Sequence, residues 1–500
     1  MMVSEVVMGR IGFDNDKYIE LQSAHIRERI SKFGDKLYLE LGGKLFDDFH
    51  ASRVLPGFEP DSKIRMLRSM ADKAEIVIAI NARDIEKNKV RGDLGIRYDD
   101  DVLRLIDAFR GIGLYVGSVV ITQYAGQFNA DKFRQRLVTM GIPVYLHYPI
   151  PGYPNDISLV VSDEGYGRNE YIETTRPLVI VTAPGPGSGK LATCLSQLYH
   201  EHKRGISAGY AKFETFPIWN LPLKHPVNLA YEAATADLND VNMIDPFHLD
   251  AYGAMAVNYN RDVEAFPLLS TIFEKILGEC PYKSPTDMGV NMAGYCIVDD
   301  EACRAASREE IIRRYYEMRC SRMQCAVPEE AVYKTELIMK QAGVSVADRP
   351  VVAAALAKAE ATGKPATAVE LPDGTLVTGK TTSLLGASSA MLLNALKILA
   401  GIDDSVNLLS PSVIEPIQRL KTVHLGNHNP RLHTDETLVA LAVCAATDEN
   451  AALALGQLSR LKTMNCHSSV RLSAVDVNVL KKLGIRLTCE PVYEIKKLLH

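Results

Sequence analysis

Between residues 37 and 182 the apolar positions follow two alternating patterns. Leu37–Leu41, Ile76–Ile80, Gly117–Thr122, Ile142–Leu146, Ile157–Val161 and Leu178–Thr182 are short β-branched or apolar runs. Val102–Phe109 and Asp131–Met140, set between them, repeat their apolar residues at helical spacing. The run ending Val179-Ile-Val-Thr182 is apolar on both faces, as strands buried on both faces are. This alternation predicts an α/β fold with a mostly parallel, doubly wound sheet covered by helices, Rossmann-like or P-loop-like.

The pattern then changes. Glu309–Met323 is a charged amphipathic helix, and Cys325-Ala-Val-Pro328 reads as a joint. Helices are expected at 350–361, 384–400, 437–447 and 449–462. Ala366–Leu371, Pro372-Asp-Gly374 and Thr375–Thr378 read as strand, turn, strand. Val470–Leu472, a helix from Val475 and Ile485–Cys489 read as β-α-β. The expected organisation is residues 1–330 as the sheet-bearing part and 331–500 as a smaller α/β or α+β domain, with the boundary between 325 and 350. Five hundred residues exceed one ordinary core, which accords with two or more domains.

Charge and cysteine usage narrow the partners. A net charge of −5, with no basic stripe among aromatics, argues against nucleic acid. No run approaches a membrane span, and the first residues lack a signal-peptide apolar core. Nine cysteines without a Cys-x-x-Cys motif fit buried, reduced thiols in a cytoplasmic protein. Assembly into a homo-oligomer stays open.

The strongest chemical signal is Gly185-Pro-Gly187-Ser188-Gly189-Lys190, between a buried strand and a helix expected to reach His202. Glycines there let phosphate oxygens approach backbone N–H groups, the helix N-terminus adds partial positive charge, and Lys190 adds a full one. The segment departs from the Walker pattern. Pro184 stands at its first glycine, and Leu191 replaces the hydroxyl that ligates Mg²⁺. Thr193 lies about 200° around the helix and points elsewhere. The alternative is a tight strand–helix turn that needs glycine for geometry alone.

A second segment, Gly374-Thr-Leu-Val-Thr-Gly379-Lys380-Thr381, satisfies G-x-x-x-x-G-K-[ST] in every letter. Its apolar β-forming interior reads instead as the second strand of a hairpin. Lys380 and Thr381, beside the helix that follows, offer a second anion contact, with Arg431 as a further candidate. Lys44, Asp47 and His50 crowd a loop after the first strand, where a parallel sheet would face a ligand crevice. They are candidate catalytic groups, as is His428. His424, His428 and His433 lie within ten residues that Gly426 and Pro430 keep irregular. With Asp435 they form a possible Zn²⁺ or Mn²⁺ donor set. With Arg431 they would clamp an anion, and Asp435 alone would cap the next helix.

Gly42–Gly57, Ala183–Lys190 and Leu371–Lys380 together resemble a bacterial family of about this length known as domain of unknown function 1846, or uncharacterised protein family 0371. The resemblance spans nearly the whole chain and implies the two-part α/β build and a cytoplasmic location. It implies no activity and no catalytic residue. Three functional readings follow from the residues. The first is an enzyme holding a phosphorylated or nucleotide ligand in an interdomain cleft. The second is a metal-dependent hydrolase centred on the histidine loop. The third is a non-catalytic binding or scaffold protein.

Overall fold

The computed structural model describes residues 10–42, 45–46, 48–91 and 94–494. Contacts divide the chain into two compact units. One is built from Ile11–Tyr231 and Asp240–Ala306, the other chiefly from Glu232–Asn239 and the chain from Ser307 onward.

The first unit is organised by a seven-stranded sheet. Its strands are β1 (Leu37–Leu41), β2 (Ala74–Asn81), β3 (Tyr115–Thr122), β4 (Val144–Leu146), β5 (Leu178–Thr182), β6 (Gly209–Phe213) and β7 (Gly289–Val290). The spatial order is β7-β6-β1-β5-β2-β3-β4, and every pairing is parallel. From β2 the chain winds outward through β3 to β4. It then returns to insert β5 between β1 and β2, and winds the other way through β6 to β7. The reversal leaves a crevice beside β5 at the carboxyl ends of the strands, where open α/β sheets take ligands. β5 is buried at every position, and β2 at all but Asn81. That burial is why these runs read as continuous apolar stretches.

The segment Ile157–Val161, expected as a strand, is a short helix over Ile157–Val160. The carboxylate of Asp156 accepts the Leu159 N–H at 3.1 Å and starts a helical turn, which outweighs the β preference of the isoleucine and valine.

The second unit carries a mixed four-stranded sheet of β8 (Ala366–Glu370), β9 (Leu376–Lys380), β10 (Asn465–Ser468) and β11 (Arg486–Cys489), in the order β9-β8-β10-β11. β8 pairs antiparallel with β9 and β10, while β10 and β11 are parallel around the helix Ala474–Lys482. The strand expected at 470–472 lies instead at β10. Three of its four residues are polar and all are buried, and His467 Nδ1 is hydrogen-bonded to the Thr488 hydroxyl at 2.8 Å.

Candidate functional site

The glycine loop leaves β5 and enters the helix Lys190–Lys203. Gly187 (φ +75°) and Gly189 (φ +87°) hold left-handed conformations that other residues rarely adopt. Gly185 lies against the Tyr98 ring, which fills the space that a Cβ would need. The loop carbonyls are turned into the protein. Asn81 Nδ2 donates to Gly187 O at 3.2 Å, Thr122 Oγ1 to Ser188 O at 2.8 Å and Ser188 Oγ to Gly185 O at 2.8 Å. Thr193 Oγ1 and the Thr193 N–H both donate to Gly189 O at 2.9 Å. The amides are a different matter. From Gly187 to Ala192, no backbone N–H has a hydrogen-bond acceptor among the described residues. Carbonyls anchored behind and amides unclaimed in front form a nest that suits an anion.

The nest opens into a cavity of about 440 Å³. Glu40 from β1, Asn81 from β2, Thr122 from β3 and His147 just beyond β4 line it from the carboxyl edge of the sheet. Tyr148, Ile150, Tyr153 and Tyr166 supply an aromatic and apolar wall. All the lining residues belong to the first unit. Lys190 and Arg83 bring positive charge and have no ion-pair partner among the described residues. Glu40 is the one carboxylate on the described lining and accepts the Tyr210 hydroxyl at 2.8 Å. Gln123, also on the lining, has φ +54°, a conformation that costs a non-glycine residue free energy and recurs at ligand sites. Burial pushes His147 down to about 3, against the raising effect of the Glu170 carbonyl, so its ring is neutral. Burial, then the neighbouring Tyr153 phenol, raises Tyr166 well above the ordinary range.

The structure sorts the candidate residues clearly. Gly187, Gly189 and Lys190 line the cavity, and Gly185 and Ser188 shape the loop from behind. Leu191 lines it too, and the Thr193 hydroxyl is engaged with Gly189, so neither offers a metal ligand. Lys44 and Asp47 lie outside the described residues. His50 packs edge-on against Phe216 and Tyr231, with ring centroids 5.2 and 5.4 Å away, and is absent from the cavity lining.

The second-unit candidates need correction. Lys380 ends strand β9 and is exposed, and the Thr381 N–H is taken by Pro365 O at 2.8 Å. The following helix starts only at Ala387, so Thr381 does not crown it. Gly379 is required for another reason: the backbone of Ala390 and Met391 occupies the place of its Cβ. Arg431 is paired with Glu494. His424 and His428 are exposed. His433 caps the helix Thr434–Cys444 in a reciprocal box with Glu436 and contacts Asp476 at 3.1 Å. Among the described residues, no group of three His, Cys, Asp or Glu side chains is placed to hold a metal. His433 is instead engaged at the head of its helix and with Asp476.

Glu40, Asn81, Arg83, Thr122, Gln123 and His147 were not singled out from the sequence. One signal marks them: each lies at, or within two residues of, the carboxyl end of a parallel strand or expected apolar run, on the ligand side of such a sheet.

No helix among the described residues is long and apolar enough to cross a membrane. The chain matches the family model described as domain of unknown function DUF1846, N-terminal, over residues 11–343, and the corresponding C-terminal model over 347–499. It is 59% identical over 491 residues to UPF0371 protein str1377 of Streptococcus thermophilus strain CNRZ 1066, covering 98% of this chain and 99% of the relative. It is 60% identical over 493 residues to UPF0371 protein DIP2346 of Corynebacterium diphtheriae, with the same coverage of each chain. These matches, over almost the full length of both proteins, establish that the chain belongs to the DUF1846 family of bacterial proteins.

Proposed function

We propose that the protein is an enzyme acting on a small phosphorylated ligand held in the cavity beside β5. The observation that carries this reading is the row of unclaimed backbone N–H groups from Gly187 to Ala192, opening on a cavity where Lys190 and Arg83 lack carboxylate partners among the described residues. The first N–H groups of a helix have no partner within it, and those of Gly187 to Gly189 extend that row into the loop, which gives an acceptor a place to bind. A phosphate presents several acceptor oxygens and carries the charge that favours a helix N-terminus. The volume is in the range of small-molecule sites. In this reading Glu40, the carboxylate on the described lining, is the acid–base group. The site lies within one unit, so the reading no longer invokes an interdomain cleft. It involves neither nucleic acid nor membrane, and a cytoplasmic location remains part of the proposal.

Calorimetric titration with inorganic phosphate and pyrophosphate tests it. Both are expected to bind, and Lys190→Ala to weaken binding tenfold or more, since a charge-assisted contact contributes about 1.5–3 kcal/mol. Absence of binding, or binding indifferent to Lys190→Ala, overturns the reading.

A further inference from the structure

The polar groups of the cavity are sorted by kind. The loop amides, Lys190 and Arg83 are donors. Both ends of the Asn169 amide are engaged, the oxygen accepting the Tyr148 N–H at 2.8 Å and the nitrogen donating to Ser196 at 3.0 Å. Gln123 and the tyrosine hydroxyls on the lining can donate or accept, whereas two groups there can only accept. His147 is 4% exposed and lines the cavity. Its Nε2 lies 3.2 Å from the carbonyl oxygen of Glu170. A carbonyl only accepts, so Nε2 carries the proton, and in a neutral ring Nδ1 then holds a lone pair. No described residue donates to that nitrogen. Glu40 takes the Tyr210 hydroxyl on Oε2, and its Oε1 has no donor among the described residues.

We infer that the cavity takes a phosphorylated sugar, with its phosphate on the glycine loop and its hydroxyls donating to His147 Nδ1 and Glu40. This deepens the phosphate reading above and rests on it. A ligand anion alone satisfies the donors and leaves two acceptors facing it. A molecule with a phosphate and several hydroxyls satisfies both sets. Tyr148 and Tyr153 add aromatic surface to the lining, suited to the C–H side of a sugar or to a nucleotide base. The sugar is therefore either free or the ribose of a nucleotide.

Affinities for inorganic phosphate, n-butyl phosphate, phosphoethanolamine, ribose 5-phosphate and adenosine 5′-monophosphate test the inference by calorimetry. Ribose 5-phosphate is expected to bind at least about tenfold more tightly than n-butyl phosphate, the combined worth of two ordinary hydrogen bonds. Tighter binding of adenosine 5′-monophosphate than of ribose 5-phosphate identifies the nucleotide as the source; equal or weaker binding identifies the free sugar phosphate. His147→Phe and Glu40→Gln are each expected to reduce ribose 5-phosphate affinity several-fold while neither weakens inorganic phosphate binding. Glu40→Gln keeps an oxygen for the Tyr210 hydroxyl, so it guards against a folding defect in the histidine variant. If ribose 5-phosphate binds no better than n-butyl phosphate, or no better than phosphoethanolamine, the sugar inference falls while phosphate binding stands. If inorganic phosphate itself fails to bind, the phosphate reading has failed first.

Discussion

Two of the chain's glycine-lysine segments have fates opposite to their spelling. Residues 374–381 meet the phosphate-loop pattern in every letter, yet they form a hairpin strand with its amides in a ladder. Residues 184–191 break the pattern at both ends, yet they form an open nest after a buried parallel strand. The difference lies in what the glycines are for. Gly187 and Gly189 supply left-handed backbone at the head of a helix, whereas Gly379 makes room for one. A short motif specifies residue types, while the direction of the preceding strand decides where the N–H groups point.

Substituting the glycines separates these roles most strongly. In Gly379→Ala the new methyl group meets the backbone of Met391 and Ala390, which cannot swing aside as a side chain would. A loss of about 3 kcal/mol in stability is expected, read by denaturant unfolding, with phosphate affinity in the first unit unchanged. The same change at Gly187 meets no atom within 4 Å. It costs only the left-handed φ, about 1–2 kcal/mol, and its main effect should appear in phosphate binding. Equal stability losses at the two positions would mean that both glycines are packing residues and that the contrast is false.

The lysines give the next largest effect. Lys190→Ala is expected to cost tenfold or more in phosphate affinity, and Lys380→Ala nothing measurable, because Lys380 stands exposed at the end of an edge strand. Since Leu191 replaces the usual metal-binding hydroxyl and Thr193 is engaged with Gly189, affinity should change little when Mg²⁺ is added. Strict Mg²⁺ dependence in the same titration would place a metal ligand elsewhere on the lining.

The histidines extend the contrast to pH. His147 is held neutral by burial, with its pKa moved from 6.5 to about 3. The unfolded chain binds a proton at this residue below pH 6.5 and the folded chain does not. The stability is therefore in place above 6.5 and is lost as pH falls from there toward 3. The slope for one proton is about 1.4 kcal/mol per pH unit, or about 2 kcal/mol between pH 6.5 and 5. Burial also lowers His200 and His467, so the measurement is the difference between wild type and His147→Phe. Identical acid slopes in the two proteins would show that His147 is not buried neutral.

The fold was largely legible because its strands are buried on both faces and so appear as apolar runs. Strand β1 lies where its run predicts, β5 likewise, and β2 and β3 extend theirs by a few residues. Two local features were illegible for physical reasons. β10 is buried but mostly polar, with His467 bonded through Nδ1 to Thr488 on a strand distant in sequence, so no hydrophobic period marks it. The helix at Ile157–Val160 depends on one carboxylate cap that outweighs propensity. The candidate site was half legible. The loop is contiguous and announces itself, but Glu40, Thr122 and His147 are brought together only by the strand order β1-β5-β2-β3-β4, which no short segment encodes. The histidine-rich loop misled for the opposite reason: its residues are close in sequence and are not gathered in space.

That loop yields the smallest effect and a slope of the other sign. The hydrogen bond that His433 donates to Asp476, stronger than the opposing burial, raises His433 above 6.5. Burial alone would raise Asp476, but the bonds it accepts from His433, the Thr434 backbone and Ser473 hold it at about 2. A histidine whose folded pKa is raised contributes stability that is complete below the unfolded value and is lost as pH rises through the folded one. The loss therefore begins near pH 6.5 and proceeds upward, whereas the His147 contribution disappears downward from the same point. The Asp476 contribution is present above its ordinary 3.8 and vanishes as pH falls toward 2, so between pH 4 and 6 the pair is fully formed. His433 is half-buried, and solvent screening limits the pair to under about 1 kcal/mol. His433→Asn keeps a capping side chain for the helix Thr434–Cys444 and removes the charge. Its destabilisation should therefore be visible at pH 5 and absent at pH 8, read as the difference in unfolding free energy from wild type. A destabilisation that is equal at both pH values would mean that the imidazole acts through packing alone, and one that grows toward pH 8 would reverse the assignment of the proton.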